Sequence, residues 1–337
     1  MKAIGFKTSL PITDKESFIE FETVKPIAKN HDLLVKISAV SVNPVDFKVR
    51  QSSAKDTVLE DPKIIGWDAV GIVEAVGENV RLFEVGDEVY YAGDLTKQGS
   101  NAEYQIVDER IVGKKPTTLS IEEAAVIPLT GLTAWEILFD RIRINPEKDK
   151  GKSILIIGGA GGVGSIAIQL AKKIAGLNVI ATASRPETAE WCKQQGADFV
   201  VDHENLIEAV REAGFQHVDF ILDFVDTNLY WDTMVELIKP QGHIASITGS
   251  SEPVALNKLK SKSVSFSWEL MYTRSMFETD DIEEQHVILD KIADLLDDGT
   301  LKTTLNQTFV GLKAENFKEA HELLESGKTI GKIAIKF

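Results

Sequence analysis

SILIIGGAGGVGSIAIQLA, residues 153–171, is 19 residues long and carries no charge. That length and polarity meet the first test for a membrane-spanning helix. Five glycines, at 158, 159, 161, 162 and 164, argue against one continuous helix, because each costs about 1 kcal/mol relative to alanine in a helix interior. A strand, a tight turn and a new helix account for the stretch better. SILII (153–157) is an unbroken aliphatic run, the pattern of a strand buried on both faces. GVGSIAIQLAKKIAG (162–176) places Ile166, Leu170 and Ile174 on one helical face, with Gly176 as its stop.

The same alternation continues downstream. NVIATA (178–183) predicts the next strand. SRPETAEWCKQQG (184–196) predicts the next helix, with Ser184 as N-cap, Glu187 completing a capping box and Gly196 ending it. DFVVD (198–202), HVDFILDF (217–224) and GHIASI (242–247) follow as strands, separated by helical stretches around 204–213 and 227–238. Strands alternating with helices mean a parallel sheet covered on both faces. Upstream, to about residue 125, the chain is β-rich: 32–42, 71–77 and 87–93 are short β-branched runs between Gly, Pro and charged breaks. After about 265 the alternation is lost. Residues 271–281 read as an irregular loop, and 281–299 and 314–327 as amphipathic helices closed by Gly299 and Gly327. The last run, GKIAIKF (331–337), is a strand in need of a sheet, and the β-rich first part is its natural host. The α/β unit is then an insertion into a discontinuous first domain.

A chain of 337 residues fits two domains, and 43% hydrophobic with 26% charged residues is ordinary for a soluble protein. The net charge of −15 argues against nucleic acid and against an anionic membrane surface as partners. Any anionic ligand needs a local site that works against the global field. Cys192 is the single cysteine, so neither an intrachain disulfide nor a cysteine-rich zinc lobe is possible. MKAIGFKTSLPITDKESF has no long apolar core, so it does not read as a signal peptide, and the expected location is cytoplasmic.

Gly159-Ala160-Gly161-Gly162-Val163-Gly164 satisfies G-x-G-x-x-G between a predicted strand and a predicted helix, the context that gives the motif meaning. Gly159 is assigned to the tight turn, Gly161 to close approach of a pyrophosphate, and Gly164 to helix packing on the strand. The N–H groups around Gly162 and Val163 at the helix start would hold the anion. An NAD site usually carries Asp or Glu at the second strand tip, about 20 residues on. Ala183-Ser184-Arg185 stands there instead, and the nearest carboxylate, Glu187, falls inside the next helix. Ser184 and Arg185 suit a 2′-phosphate, so NADP(H) is the expected cofactor. His203, past the third strand, lines the adenine side or is a plain surface histidine.

Seven segments in order, SVNPVDFKVR (41–50), GWDAVGIVEAVG (66–77), GSNAEY (99–104), IPLTGLTAWEIL (127–138), GGAGGVGS (158–165), GAD (196–198) and the closing GKIAIKF, resemble the medium-chain dehydrogenase/reductase family. The resemblance is to its quinone oxidoreductase branch, in the zinc-type alcohol dehydrogenase-like group. It implies an α/β fold with a GroES-like β-rich catalytic domain (1–125 and 266–337) and a Rossmann doubly wound parallel-sheet domain (126–265). It also implies an active site in the cleft between them, and a homodimer through the Rossmann sheet edge.

The group name suggests zinc. By motif alignment, however, the family's Cys, His and third ligand positions fall on Asn43, Trp67 and near Leu129, none of which supplies a zinc donor. The six histidines show no H-E-x-x-H. The expectation is no metal, with Trp67 in the metal's place as a flat apolar wall. Without a Lewis acid, hydride transfer to a quinone or an α,β-unsaturated carbonyl is the fitting reaction, because the developing charge is delocalised. Asn43 resembles the family residue beside the nicotinamide and is the candidate donor, unless it only structures the loop before Pro44. Asp46 is a weaker catalytic candidate that can instead pair with Arg50. Trp67, Tyr91, Trp268 and Tyr272 are candidates for an aromatic slot, although each alone suits core packing. Thr130 and Thr133 sit where a hydroxyl could reach the nicotinamide, with helix capping as the competing role. Two other readings stay open: an enoyl-thioester reductase, for which no basic cluster is evident, and an NADPH-binding scaffold with little turnover.

Overall fold

Ser153–Ile157 is a strand with every residue buried, and Gly162–Gln169 is the α-helix that follows it. Both lie in a unit formed by residues 133–271 of the computed structural model, which describes residues 1–337 throughout. Its sheet has six strands, all parallel, in the spatial order Phe199–Val201, Asn178–Thr182, Ser153–Ile157, Val218–Asp223, Ile238–Ser246 and Ser265–Trp268. Numbered along the chain this is 3-2-1-4-5-6, the doubly wound order whose direction reverses at the first strand. Leu155, Ile157, Ile180, Ile221, Trp231 and Met234 are among the buried apolar residues that hold the sheet to its helices.

Four local readings need correction. The sixth strand, Ser265–Trp268, lies where the sequence pattern is lost: two of its four residues are serine and it sits at the sheet edge. The helix Pro186–Gln195 starts one residue later than expected, with Arg185 as N-cap and Thr188, not Glu187, closing the box. Pro186 causes the shift, because its fixed φ and missing N–H suit the first helical position. Residues 170–174 widen into a π-helix before Gly176 stops the chain with φ +65°. Within 271–281, Thr273–Phe277 forms a short helix.

The second unit comprises residues 1–132 and 272–337. Its main sheet runs Leu305–Val310, Lys332–Lys336, Asp32–Ser41, Ala69–Val76, Glu88–Tyr91 and Val112–Lys114, with Tyr104–Asp108 also paired to Asp32–Ser41. The closing strand pairs antiparallel with Asp32–Ser41, Ala334 opposite Ser41. Ala69–Val76 pairs with the same central strand through two register shifts, the bends expected of a glycine-containing strand. A smaller sheet joins Ile19–Glu22, Lys2–Phe6 and Lys63–Ile64. The helices Glu284–Asp297 and Ala314–Glu325 each bury an apolar face. No helix is long and apolar enough to cross a membrane, and the uncharged 153–171 stretch is divided between strand and helix.

Candidate functional site

The glycine loop is built on Gly158, whose φ of +90° is a left-handed conformation that side chains resist. Its N–H donates to Thr182 Oγ1 at 2.9 Å, tying the loop to the end of the second strand. The turn therefore belongs to Gly158, one residue before the position assigned from the motif. Gly159 is required for space, since a Cβ there would lie 2.8 Å from Ala181 Cβ and 3.1 Å from Cys192 Sγ. Gly164 packs against the loop itself rather than the strand: its Cβ would meet the Gly158 and Gly159 carbonyl oxygens at 2.3 and 2.7 Å. At Gly161 the one heavy atom near an added Cβ is Gly158 O, at 3.6 Å, so the face above this residue is open. Gly161 caps the helix, and the N–H groups of Gly162, Val163 and Gly164 in its first turn have no intrahelical acceptor. This is a cradle that fits a diphosphate.

Ser184 is exposed beyond the second strand, and Arg185 holds its guanidinium 3.3 Å from Glu187. No carboxylate ends the strand Asn178–Thr182, so the tip is chemically suited to a phosphate-bearing ribose. His203 is 44% exposed and 3.8 Å from Asp202. Across the switch point, Asp223 gathers the hydroxyls of Thr227, Ser246 and Thr248 on Oδ2 and the N–H groups of Val225 and Asp226 on Oδ1. That fixes the turn whose Val225 side chain abuts Gly158.

In the other unit, Gly66 turns the chain with φ +101°, where a Cβ would overlap Asn101, and delivers Trp67 and Asp68 to the start of Ala69–Val76. Asp68 is fully buried. Its Oδ1 accepts from Leu129 N at 2.7 Å, and its Oδ2 accepts from Asn43 Nδ2 at 2.9 Å and Lys332 Nζ at 3.1 Å. Lys332 also donates to Val42 O and Asn43 Oδ1. Burial pushes the Asp68 carboxyl up and the Lys332 ammonium down, and each offsets the other. Three donors on the carboxylate and three acceptors around the ammonium favour the charged form of each. In the sequence, Asp68 stands out only as the acidic neighbour of Trp67 after Gly66, and Lys332 not at all. The available signal was a lysine inside a closing strand otherwise buried along most of its length.

Asn43 is 1% exposed, and its second Nδ2 hydrogen has only a long 3.5 Å contact with Ser41 O. Asp46 accepts from Asn43 N through Oδ2 and leaves Oδ1 without a partner. The expected Asp46–Arg50 pair does not form: Arg50 reaches the other way, to Glu325 at 2.6 Å and Leu10 O at 2.5 Å. Trp67 is core, with Nε1 donating to Asp94 O at 3.1 Å. Tyr91 stands across the ladder from Ala69, next to Asp68, with a buried hydroxyl lacking any partner. Tyr272 has the same unpaired buried hydroxyl, kept protonated by burial and then by Asp46, Asp68 and Asp94. Trp268 lies in the other unit, edge-on to Phe266. Thr130 donates to the Val126 and Ile127 carbonyls just ahead of its helix, Pro128–Trp135, and Thr133 is buried on the next turn. Cys192 is buried and its thiol is pushed up to about 12 by burial, which leaves it unreactive.

These residues do not fit zinc. No group of three or more His, Cys, Asp or Glu side chains is placed to hold a metal. The carboxylate beside the aligned positions, Asp68, already has both oxygens engaged by Leu129, Asn43 and Lys332.

Residues 29–117 match the family described as alcohol dehydrogenase GroES-like domain, and residues 162–285 the family described as zinc-binding dehydrogenase. A zinc-type alcohol dehydrogenase-like protein of Staphylococcus aureus is 47% identical over 338 residues, covering 99% of both chains. The chloroplastic NADPH-dependent alkenal/one oxidoreductase of Arabidopsis thaliana is 36% identical over 241 residues, 70% of this chain and 60% of that one. Among solved structures, the Escherichia coli quinone oxidoreductase complexed with NADPH superposes with a TM-score of 0.85 at 25% identity, covering all of both chains.

Proposed function

This chain belongs to the medium-chain dehydrogenase/reductase superfamily, alongside zinc-type alcohol dehydrogenase-like proteins, and on that premise we propose that it is a zinc-independent, NADPH-dependent reductase of α,β-unsaturated carbonyls or quinones. One observation carries the reading: Asn43, Trp67 and Leu129, at the aligned ligand positions, are bound into hydrogen bonds of the fold or offer no donor. Chemistry that needs a localised alkoxide held by a Lewis acid is thereby disfavoured. The similarity to an NADPH-dependent alkenal/one oxidoreductase and to an NADPH-bound quinone oxidoreductase supports both the cofactor and the substrate class.

The cofactor's diphosphate is assigned to the Gly161–Gly164 backbone and its 2′-phosphate to Ser184 and Arg185. When bound, NADPH supplies a hydride to the electrophilic carbon of the acceptor. The acceptor's oxygen then gains charge spread as an enolate or phenolate, which neutral hydrogen-bond donors suffice to hold. Asn43 keeps one weakly used N–H for this purpose, and the buried Tyr91 hydroxyl has none of its valence spent. Asp46, with its pKa pushed up to about 8 by burial, carries a proton at neutral pH and adds a third donor. The edge strand Ser265–Trp268, with Trp268 exposed, is the surface assigned to a homodimer.

The deciding experiment follows NADPH and NADH oxidation with a panel of alkenals, enones and quinones. We expect turnover with NADPH, a kcat/KM at least about tenfold lower with NADH, and no effect of a chelator. Tight NADPH binding without oxidation would favour the scaffold reading. Equal use of both coenzymes would refute the assignment of Ser184 and Arg185.

A further inference from the structure

Lys332 is 4% exposed, and its ammonium is enclosed by three acceptors: Val42 O at 2.9 Å, Asn43 Oδ1 at 2.5 Å and Asp68 Oδ2 at 3.1 Å. An ammonium has three protons, so its valence is complete. The segments aligned with metal ligands all converge on this charge and its counterion. Asn43 arrives through both ends of its amide, the 67–68 segment through the Asp68 carboxylate, and Leu129 through its N–H on Asp68 Oδ1 at 2.7 Å. A central metal would tie the same three segments together by the same means, a buried positive charge.

We propose that Lys332 is a positioning residue that serves as the resident cation of this site and sets the orientation of the Asn43 amide. With the ammonium on Oδ1, a flipped amide would put Nδ2 against a positive charge and Oδ1 against the Asp68 carboxylate. Both contacts would be repulsive, so one orientation is fixed and Nδ2 is the end left to donate. Fold stability alone does not require such a pair, since buried ion pairs are commonly replaceable by neutral groups of similar volume without loss. What a neutral replacement lacks is the charge on Oδ1. The catalytic part of this inference rests on the reductase reading above; the structural part does not.

The test uses Lys332→Ala and the double variant Lys332→Met/Asp68→Asn in the full chain. Lys332→Ala strands a buried carboxylate and lowers the thermal midpoint by roughly 10 °C. Methylammonium chloride, which can occupy the vacated position, raises that midpoint, whereas sodium chloride at equal ionic strength does not. The double variant melts near the wild type and binds NADPH with unchanged affinity, yet loses at least about tenfold in kcat, because a free amide presents the wrong end to the substrate. Failure of methylammonium to raise the midpoint overturns the resident-cation role. A double variant with wild-type kcat overturns the positioning role. If Lys332→Ala does not fold, rescue is read from refolding yield with and without methylammonium. If the wild type reduces none of the acceptors, the proposed reaction fails, and the melting data still decide the role of Lys332.

Discussion

Asp46 shows how one side chain can carry a pH dependence for the whole protein. Burial raises its pKa from 3.8 to about 8, Lys332 and the Asn43 N–H pull it down, and Asp68 pushes it up. Below about pH 4 the folded and unfolded chains both hold the proton, and the stabilising contribution is complete. Between there and about pH 8 the unfolded chain has released a proton that the fold retains, so stability falls as pH rises. Thermal melts from pH 5 to pH 9 should decline in the wild type and decline less in Asp46→Asn; parallel curves would remove Asp46 as the cause. At Arg185, the partly exposed contact with Glu187 contributes little on its own. Arg185→Ala should weaken NADPH binding about 10- to 100-fold and leave NADH nearly unchanged, as read by nucleotide fluorescence titration. The Ser184 N-cap assignment failed because Pro186 outweighs a serine hydroxyl in choosing where a helix begins.

At the scale of elements, two joints have predictable strength. The helices Pro44–Ser52 and Ala314–Glu325 are linked by Arg50, which is fully buried and depends on Glu325 and Leu10 O for its charge. Glu325→Ala leaves that guanidinium short of a counterion and should cost about 3 kcal/mol in urea unfolding. The strand–loop–helix joint depends on Gly164, where even a methyl group would sit 2.3 Å from the Gly158 carbonyl oxygen. Gly164→Ala should abolish measurable NADPH binding, tested by equilibrium titration of protein whose fold is confirmed by circular dichroism. These elements were largely legible beforehand because their signals are local: aliphatic runs, glycine stops and a G-x-G-x-x-G turn. The sixth strand, Ser265–Trp268, was not, since a short serine-containing edge strand has no periodicity of its own and is made by the neighbour it pairs with.

For the whole molecule, the family resemblance and the coordination chemistry of the side chains at the aligned ligand positions point in opposite directions. Dialysis against a chelator should leave both the thermal midpoint and NADPH oxidation unchanged, and elemental analysis should find far less than one zinc per chain. One equivalent of bound zinc would overturn the reading. By itself, the sequence determined a parallel sheet covered on both faces and its glycine cradle, because each follows from residues close together in the chain, and the family resemblance placed no zinc donor at positions 43, 67 and 129. Only the tertiary structure decided what holds those three segments together. Asp68 and Lys332 are 264 residues apart, and they meet because the last strand pairs with Asp32–Ser41. A buried ion pair is a property of that register, and no local pattern in either segment announces it.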